Sequence, residues 1–175
     1  MILSDVDIIA LIKKNKLKII PTPLEKDIKE CHIILHLAKK ILKYKKITGD
    51  LKKNSTFKVN ELNIGNTGYK LKPNEFILGS TLEKVTIPNG YFGFIETRGN
   101  IARAGIQTHN TDGHIAPGFS GNITLEIKNN SNRTIIIYPG LPFIHLYILK
   151  MTSKCLRPYS GKYQNQKGAT IYKKD

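Results

Sequence analysis

Cysteines, acidic residues and long apolar runs are what this chain of 175 residues has least of. Its two cysteines, Cys31 and Cys155, are too far apart in sequence to suggest a disulfide framework or a cysteine-based zinc site, so a reducing, cytoplasmic setting is expected. No apolar run approaches the roughly 18 residues that a membrane span needs. The start of the chain also lacks a cationic stretch followed by an apolar core and a cleavage site, so neither a membrane nor a signal peptide is expected. Asp and Glu number 13 against 28 Lys and Arg, a formal net charge of +15. Such a field attracts polyanions, which makes nucleic acid and nucleoside triphosphates the natural partner classes. A Lys-, Ile- and Asn-rich composition accounts for part of the excess. Aromatic residues do not interleave the lysine runs as a single-strand binder would want, so nucleic acid ranks last. The length suits one domain, residues 1–175, and leaves no room for two ordinary ones.

What is present reads as many short strands behind one helix. Ser4-Asp5-Val6-Asp7 before an apolar-periodic run predicts a capping box and a helix from about residue 4 to 14, closing near Asn15. Pro21 and Pro23 force an extended passage. Residues 28–46 satisfy a helical period and an alternating one equally; Cys31, Ile33, Leu35 and Leu37 alternate as a strand would. Residues 47–70 are polar and punctuated by Gly49, Gly65 and Gly68, which predicts a hairpin excursion. From Leu71 onward strand candidates alternate with turn signals: 76–78, 83–87, 91–96, 122–128, 134–138 and 143–149. This spacing indicates an all-β sandwich or barrel-like fold, without internal repeats.

The stretch from Thr97 to Asn129 concentrates the candidate chemistry. Alternation from Asn122 to Lys128 sends Ile123, Leu125 and Ile127 to one face and Thr124, Glu126 and Lys128 to the other. Glu126 is therefore either a solvated strand residue or the lining of a pocket, where a carboxylate beside a cation holds and deprotonates a water.

Here the chain resembles the dCTP deaminases of the trimeric dUTPase-like superfamily. The resemblance is carried by Met1-Ile2-Leu3-Ser4-Asp5, by residues 71–88 (LKPNEFILGSTLEKVTIP), by residues 97–129, and by the tail from Arg157-Pro158-Tyr159 through Lys162-Tyr163-Gln164-Asn165-Gln166-Lys167-Gly168-Ala169. It implies a mainly β fold, a distorted β-barrel or jelly-roll of the dUTPase-like type with a short N-terminal helix, assembled as a homotrimer with sites at subunit interfaces. It also implies strand over helix for residues 28–46, and residues 157–175 as a C-terminal closure segment. The implied activity is hydrolytic deamination of dCTP to dUTP and ammonia, with pyrimidine deoxynucleotides as ligands and Mg²⁺ bound through substrate phosphates. Adding water at C4 needs a base for the water and donors for the developing charge. Zinc deaminases use a His-x-Glu and a Pro-Cys-x-x-Cys site, and neither motif occurs here. The resemblance gives Glu126 as general base, Arg103 as the cation that orients it, and Arg98 as a phosphate contact. Tyr159, Lys162 and Gln166 match positions that close over base, sugar and triphosphate.

Three positions depart from the family pattern. The aspartate before Pro-Gly that grips the sugar hydroxyl is Ala116, a serine near the reacting atom is Gly99, and the aspartate of the N-terminal block is Ile34. Losing the first argues against dUTP hydrolysis; losing the second weakens deamination without excluding it. Asp112, Thr111 and Asn100 are the neighbours that would substitute. A catalytically impaired nucleotide-binding or regulatory relative is the rival reading, and a basic nucleic-acid binder the second rival. The five histidines are read as structural or solvent-facing, with His114 beside the expected pocket the exception; His32 and His36, four apart, lack a third metal ligand.

Overall fold

The computed structural model describes residues 1–174. In chain order it contains α1 (Asp5–Lys13), β1 (Lys18–Ile20), β2 (Ile28–Lys29), β3 (His32–His36), β4 (Lys40–Tyr44), β5 (Val59–Asn63), β6 (Tyr69–Leu71), β7 (Phe76–Thr86), β8 (Tyr91–Thr97), α2 (Gly99–Arg103), β9 (Ile106–Gln107), β10 (His114–Ile115), β11 (Ser120–Asn129), β12 (Ile135–Ile137) and β13 (Pro142–Lys150). Two antiparallel sheets dominate. One runs β5-β4-β7-β11-β9 with β1 also on β7, and the other runs β10-β8-β13-β3-β2; β12 and β6 form a separate pair. Ile41, Ile77, Leu125 and Ile127 from the first sheet meet Ile33, Leu35, Ile95 and Leu146 from the second in one apolar core. This is the mainly β sandwich of the expected type.

Local chemistry explains where elements begin and end. Residues 28–46 form strands because Ile33, Leu35, Leu37 and Ile41 all reach full burial between the sheets, which a period of two achieves and a helix would not. The two strand candidates 76–78 and 83–87 are one strand of eleven residues, β7. Gly79 looks like a break in sequence, yet a Cβ there would lie 2.7 Å from Ile127 Cδ1, so its smallness serves packing against β11. The predicted capping box does not form: Ser4 Oγ donates to Asp7 Oδ2 at 3.4 Å and caps no backbone amide, while the Val6 N–H donates to Asp5 Oδ1 at 2.8 Å. The helix does close at Asn15, whose φ of 54° stops it. Both cysteines are free thiols. No helix among the described residues is long and apolar enough to cross a membrane.

Candidate active site

Glu126 sits mid-strand on β11, paired across the ladder with Leu78, and its side chain leaves the core face that Leu125 and Ile127 occupy. One carboxylate oxygen, Oε2, accepts the Asn110 backbone N–H at 2.8 Å. That bond ties β11 to the loop between β9 and β10, and aims Glu126 into a cavity of about 840 Å³. This is the size at which small-molecule ligands bury most of their surface. The floor is apolar, with Ile95, Ile115, Phe119 and Ile123 at the open edge of the sandwich, and the rim carries Asp112, His114 and Lys162.

The C-terminal segment forms the roof. Tyr159 N–H donates to Pro117 O at 2.8 Å, Asn165 N–H to Ser120 O at 2.7 Å and Asn122 N–H to Gln166 O at 3.1 Å, so the tail runs beside the start of β11 almost as an added strand. Gln164 fixes it from both ends of its amide: Oε1 accepts the Ser120 N–H at 2.8 Å and Nε2 donates to Gly118 O at 2.9 Å. Gly118 permits the approach, since its φ is 88° and a Cβ would lie 2.7 Å from Pro158 Cβ. Gln166 Nε2 donates to Asn122 O at 2.6 Å and to Thr124 Oγ1 at 3.2 Å, which fixes its amide orientation and points Oε1 away from the strand. Gln166 Oε1 and His109 Nδ1 are buried polar atoms without a hydrogen-bond partner among the described residues, and both residues line the cavity. Such atoms are expected where a ligand or water completes a site.

Opposite the apolar floor the cavity is aromatic. Tyr44 and Phe76 stack with centroids 6.5 Å apart, and Phe57 meets the tail residue Tyr172 at 4.6 Å. Burial raises the Tyr44 phenol above its ordinary range, helped by Tyr163 and by the charge of Glu126, against the Tyr172 N–H that bonds it. Lys162 Nζ lies 5.6 Å from the Tyr163 ring centroid and 5.9 Å from that of Tyr172. The cation is thereby held over the site by ring faces.

The structure thus gathers Glu126, Asp112, Ala116, Tyr159, Lys162 and Gln166 around one cavity. It does not bring Arg98, Gly99, Asn100 or Arg103 there. Those four lie at and within α2, which β8 and a bond from Arg98 N–H to Phe143 O anchor to the other sheet. Arg103 is exposed and lines a separate cleft of about 250 Å³ with Gly105, Ser131 and Arg133. The expected contact between Arg103 and Glu126 is therefore absent within one chain. The Asp112 carboxylate is in hydrogen-bond contact with Nδ1 of the His114 ring, and Ala116 presents only a methyl group to the cavity. Asn110, Gln164, Tyr44 and Tyr172 were not anticipated. Only Gln164 carried a sequence signal, its place inside the tail block.

A family model described as dCTP deaminase-like matches residues 2–151. The chain belongs to that family. The dCTP deaminase, dUMP-forming, of Mycobacterium avium is 45% identical over 107 residues, 58% of this chain and 56% of that protein. The protein of the same name from Corynebacterium diphtheriae is 46% identical over 107 residues, 58% of this chain and 57% of that one. The chain thus spans little more than half the length of these relatives. Among solved structures, the 2'-deoxycytidine 5'-triphosphate deaminase of Agrobacterium tumefaciens superposes with a TM-score of 0.68 at 18% identity, over 84% of this chain and 47% of that one. The dUTPase of phage phi11 of S. aureus gives 0.53 at 15% identity, over 83% and 96%. These two likenesses establish the fold. The family match ends before the tail, so the roof of the cavity stands on its own geometry.

Proposed function

We propose that this protein deaminates dCTP, with Glu126 as the general base. The observation that carries the reading is the placement of Glu126: one oxygen is fixed by the Asn110 N–H and the carboxylate faces a cavity lined by orphaned polar atoms. A carboxylate held in this way can take a proton from a water attacking C4 and return it to the departing ammonia, work worth about 10²- to 10⁴-fold in rate. Lys162 supplies a point charge for phosphate and Tyr159 a flat surface for sugar or base. Among the described residues no group of three His, Cys, Asp or Glu could hold a metal. Magnesium fits here only as a partner of substrate phosphates, where it neutralises charge. Arg98 and Arg103 are assigned to the site of a neighbouring copy in a homotrimer, since within one chain α2 carries them elsewhere.

The relatives' names make dUMP their product, whereas a deaminase alone leaves dUTP. Ala116 removes one acid that would position a second water, but the Asp112 carboxylate and His114 imidazole lie on the rim of the same cavity. This pair favours a second reading, in which deamination is followed by release of pyrophosphate. The deciding experiment measures ammonia and pyrophosphate from dCTP with Mg²⁺, for wild type and Glu126→Gln. Ammonia release falling by about 10³-fold in the variant, with nucleotide still bound, is the expected result. Tight dCTP binding without ammonia would instead make the protein a binding or regulatory relative.

A further inference from the structure

At the edge of the cavity β7 and β11 fall out of step. Asn122 pairs with Lys84 and Thr124 with Ser80, so Thr81, Leu82 and Glu83 together face Ile123 alone. A bulge of this kind disrupts the ladder and leaves carbonyls without their strand donors. Two side chains supply donors instead. The buried Thr81 hydroxyl donates to Glu83 O at 2.7 Å and accepts the Ile123 N–H at 2.9 Å. Asn122 Nδ2 reaches Thr81 O at 3.1 Å, and Leu82 O and Glu83 O at 3.2 Å each. With its nitrogen turned to three carbonyls, the Asn122 amide presents Oδ1 to the tail, where it accepts the Gly168 N–H at 3.0 Å.

The same residue fixes Gln166. The Asn122 N–H donates to Gln166 O, and Asn122 O accepts Gln166 Nε2, whose other hydrogen goes to Thr124 Oγ1. Thr124 Oγ1 also accepts the Thr170 N–H at 3.1 Å, which anchors the tail beyond Gln166. Both hydrogens of the Gln166 amide are thus committed to β11. Toward the cavity the side chain is an acceptor only, through Oε1, which is buried and without a partner among the described residues. Phosphate oxygens are acceptors themselves, so this atom does not hold them. A buried acceptor calls for a donor, and dCTP offers two: the C4 amino group and the sugar 3′-hydroxyl. The amino group leaves the carbon that water attacks, which belongs at Glu126. Gln166 is bonded to residues two and four places back along the strand, about 7 and 13 Å from there. That leaves the hydroxyl.

We propose that Asn122 is a positioning residue that sets Gln166 Oε1 to accept the 3′-hydroxyl of the substrate's deoxyribose, so that the site selects nucleotides carrying that hydroxyl. The proposal deepens the deamination reading and rests on it for the place of the base. Ala116, with only a methyl group on the cavity, gives the hydroxyl no acceptor of its own.

Steady-state kinetics with dCTP and with 2′,3′-dideoxycytidine triphosphate, together with calorimetric binding of both, test this on the full chain. The wild type should bind the dideoxy nucleotide about 10-fold more weakly, the effect of leaving one buried acceptor unmet. Asn122→Ala should raise KM for dCTP about 10-fold with kcat nearly unchanged, and should barely move KM for the dideoxy nucleotide. Gln166→Leu removes the acceptor itself and should abolish the discrimination in the same way, which keeps the test open should Asn122→Ala fail to fold. A residue that only held the fold together would weaken both nucleotides alike. Equal affinity of the wild type for the two nucleotides, discrimination that survives in Gln166→Leu, or KM raised equally for both in Asn122→Ala would each overturn the proposal. Discrimination in binding without ammonia release overturns deamination alone, and ammonia release without discrimination overturns the role of Asn122 and Gln166 alone.

Discussion

Glu75 gathers three donors on one carboxylate: the Tyr69 hydroxyl at 2.8 Å, the Lys72 N–H at 2.8 Å and the Lys43 ammonium. Burial alone would raise its carboxyl, but the bonds from Lys43, Lys72 and Tyr69 outweigh that and hold it below the ordinary 4.5. A depressed carboxyl stabilises the fold above the unfolded value, and that contribution is lost as pH falls through the folded one. Glu75→Gln is therefore expected to lose about 2 kcal/mol at neutral pH. Thermal unfolding should show the difference from wild type shrinking below about pH 4.5. The Lys43 side chain is 42% exposed, so solvent screens its share and most of the loss comes from the two other donors. At this scale the sequence was partly legible. Alternation along β11 showed that Glu126 leaves the core face, but the His32–His145 stack joins residues far apart in the chain, and the Glu75 hub forms in the turn before β7 from the nearby Tyr69 and Lys72 with Lys43 brought in from β4, an arrangement that no strand or helix period reveals.

The C-terminal segment that roofs the cavity is the element whose role is most open to direct test. Its far end is clasped by the excursion between β4 and β5: Tyr172 Oη donates to Leu51 O at 2.6 Å, its ring meets Phe57, and the Lys174 N–H donates to Asn54 Oδ1 at 2.6 Å. Tyr172→Ala removes the clasp while leaving Gln164, Gln166 and Glu126 in place. The expected result is a KM for dCTP raised about 10-fold with kcat nearly unchanged, since the roof then closes against a larger ordering cost. Gly118→Ala acts at the other end, where a methyl would displace Pro158, and should raise KM similarly. Steady-state kinetics check both, and an unchanged KM in both variants would remove the tail from substrate binding. The tail block was readable in sequence because its spacing resembles a known pattern. Its clasp was not, because residues 47–57 read only as a polar loop.

At the scale of the whole molecule the separation of the arginines from Glu126 makes a prediction. The +15 charge favours a polyanionic ligand at long range but places no cation beside Glu126, whose carboxylate the Asn110 N–H orients; a guanidinium adds to that only within contact distance. Within one chain Arg103 lines a different cleft from Glu126. If each working site takes Glu126 from one copy and Arg103 from the next, two separately inactive variants can complete each other. Glu126→Gln retains the arginine and Arg103→Ala retains the carboxylate. Unfolded together, mixed in equal amounts and refolded, they should assemble sites of which roughly one quarter carry both intact residues, restoring about that share of wild-type turnover. Mixed without refolding, they should regain activity only as fast as subunits exchange. Turnover that stays at the level of the separate variants after refolding would mean that both residues serve the same chain, and that α2 must move for Arg103 to reach Glu126.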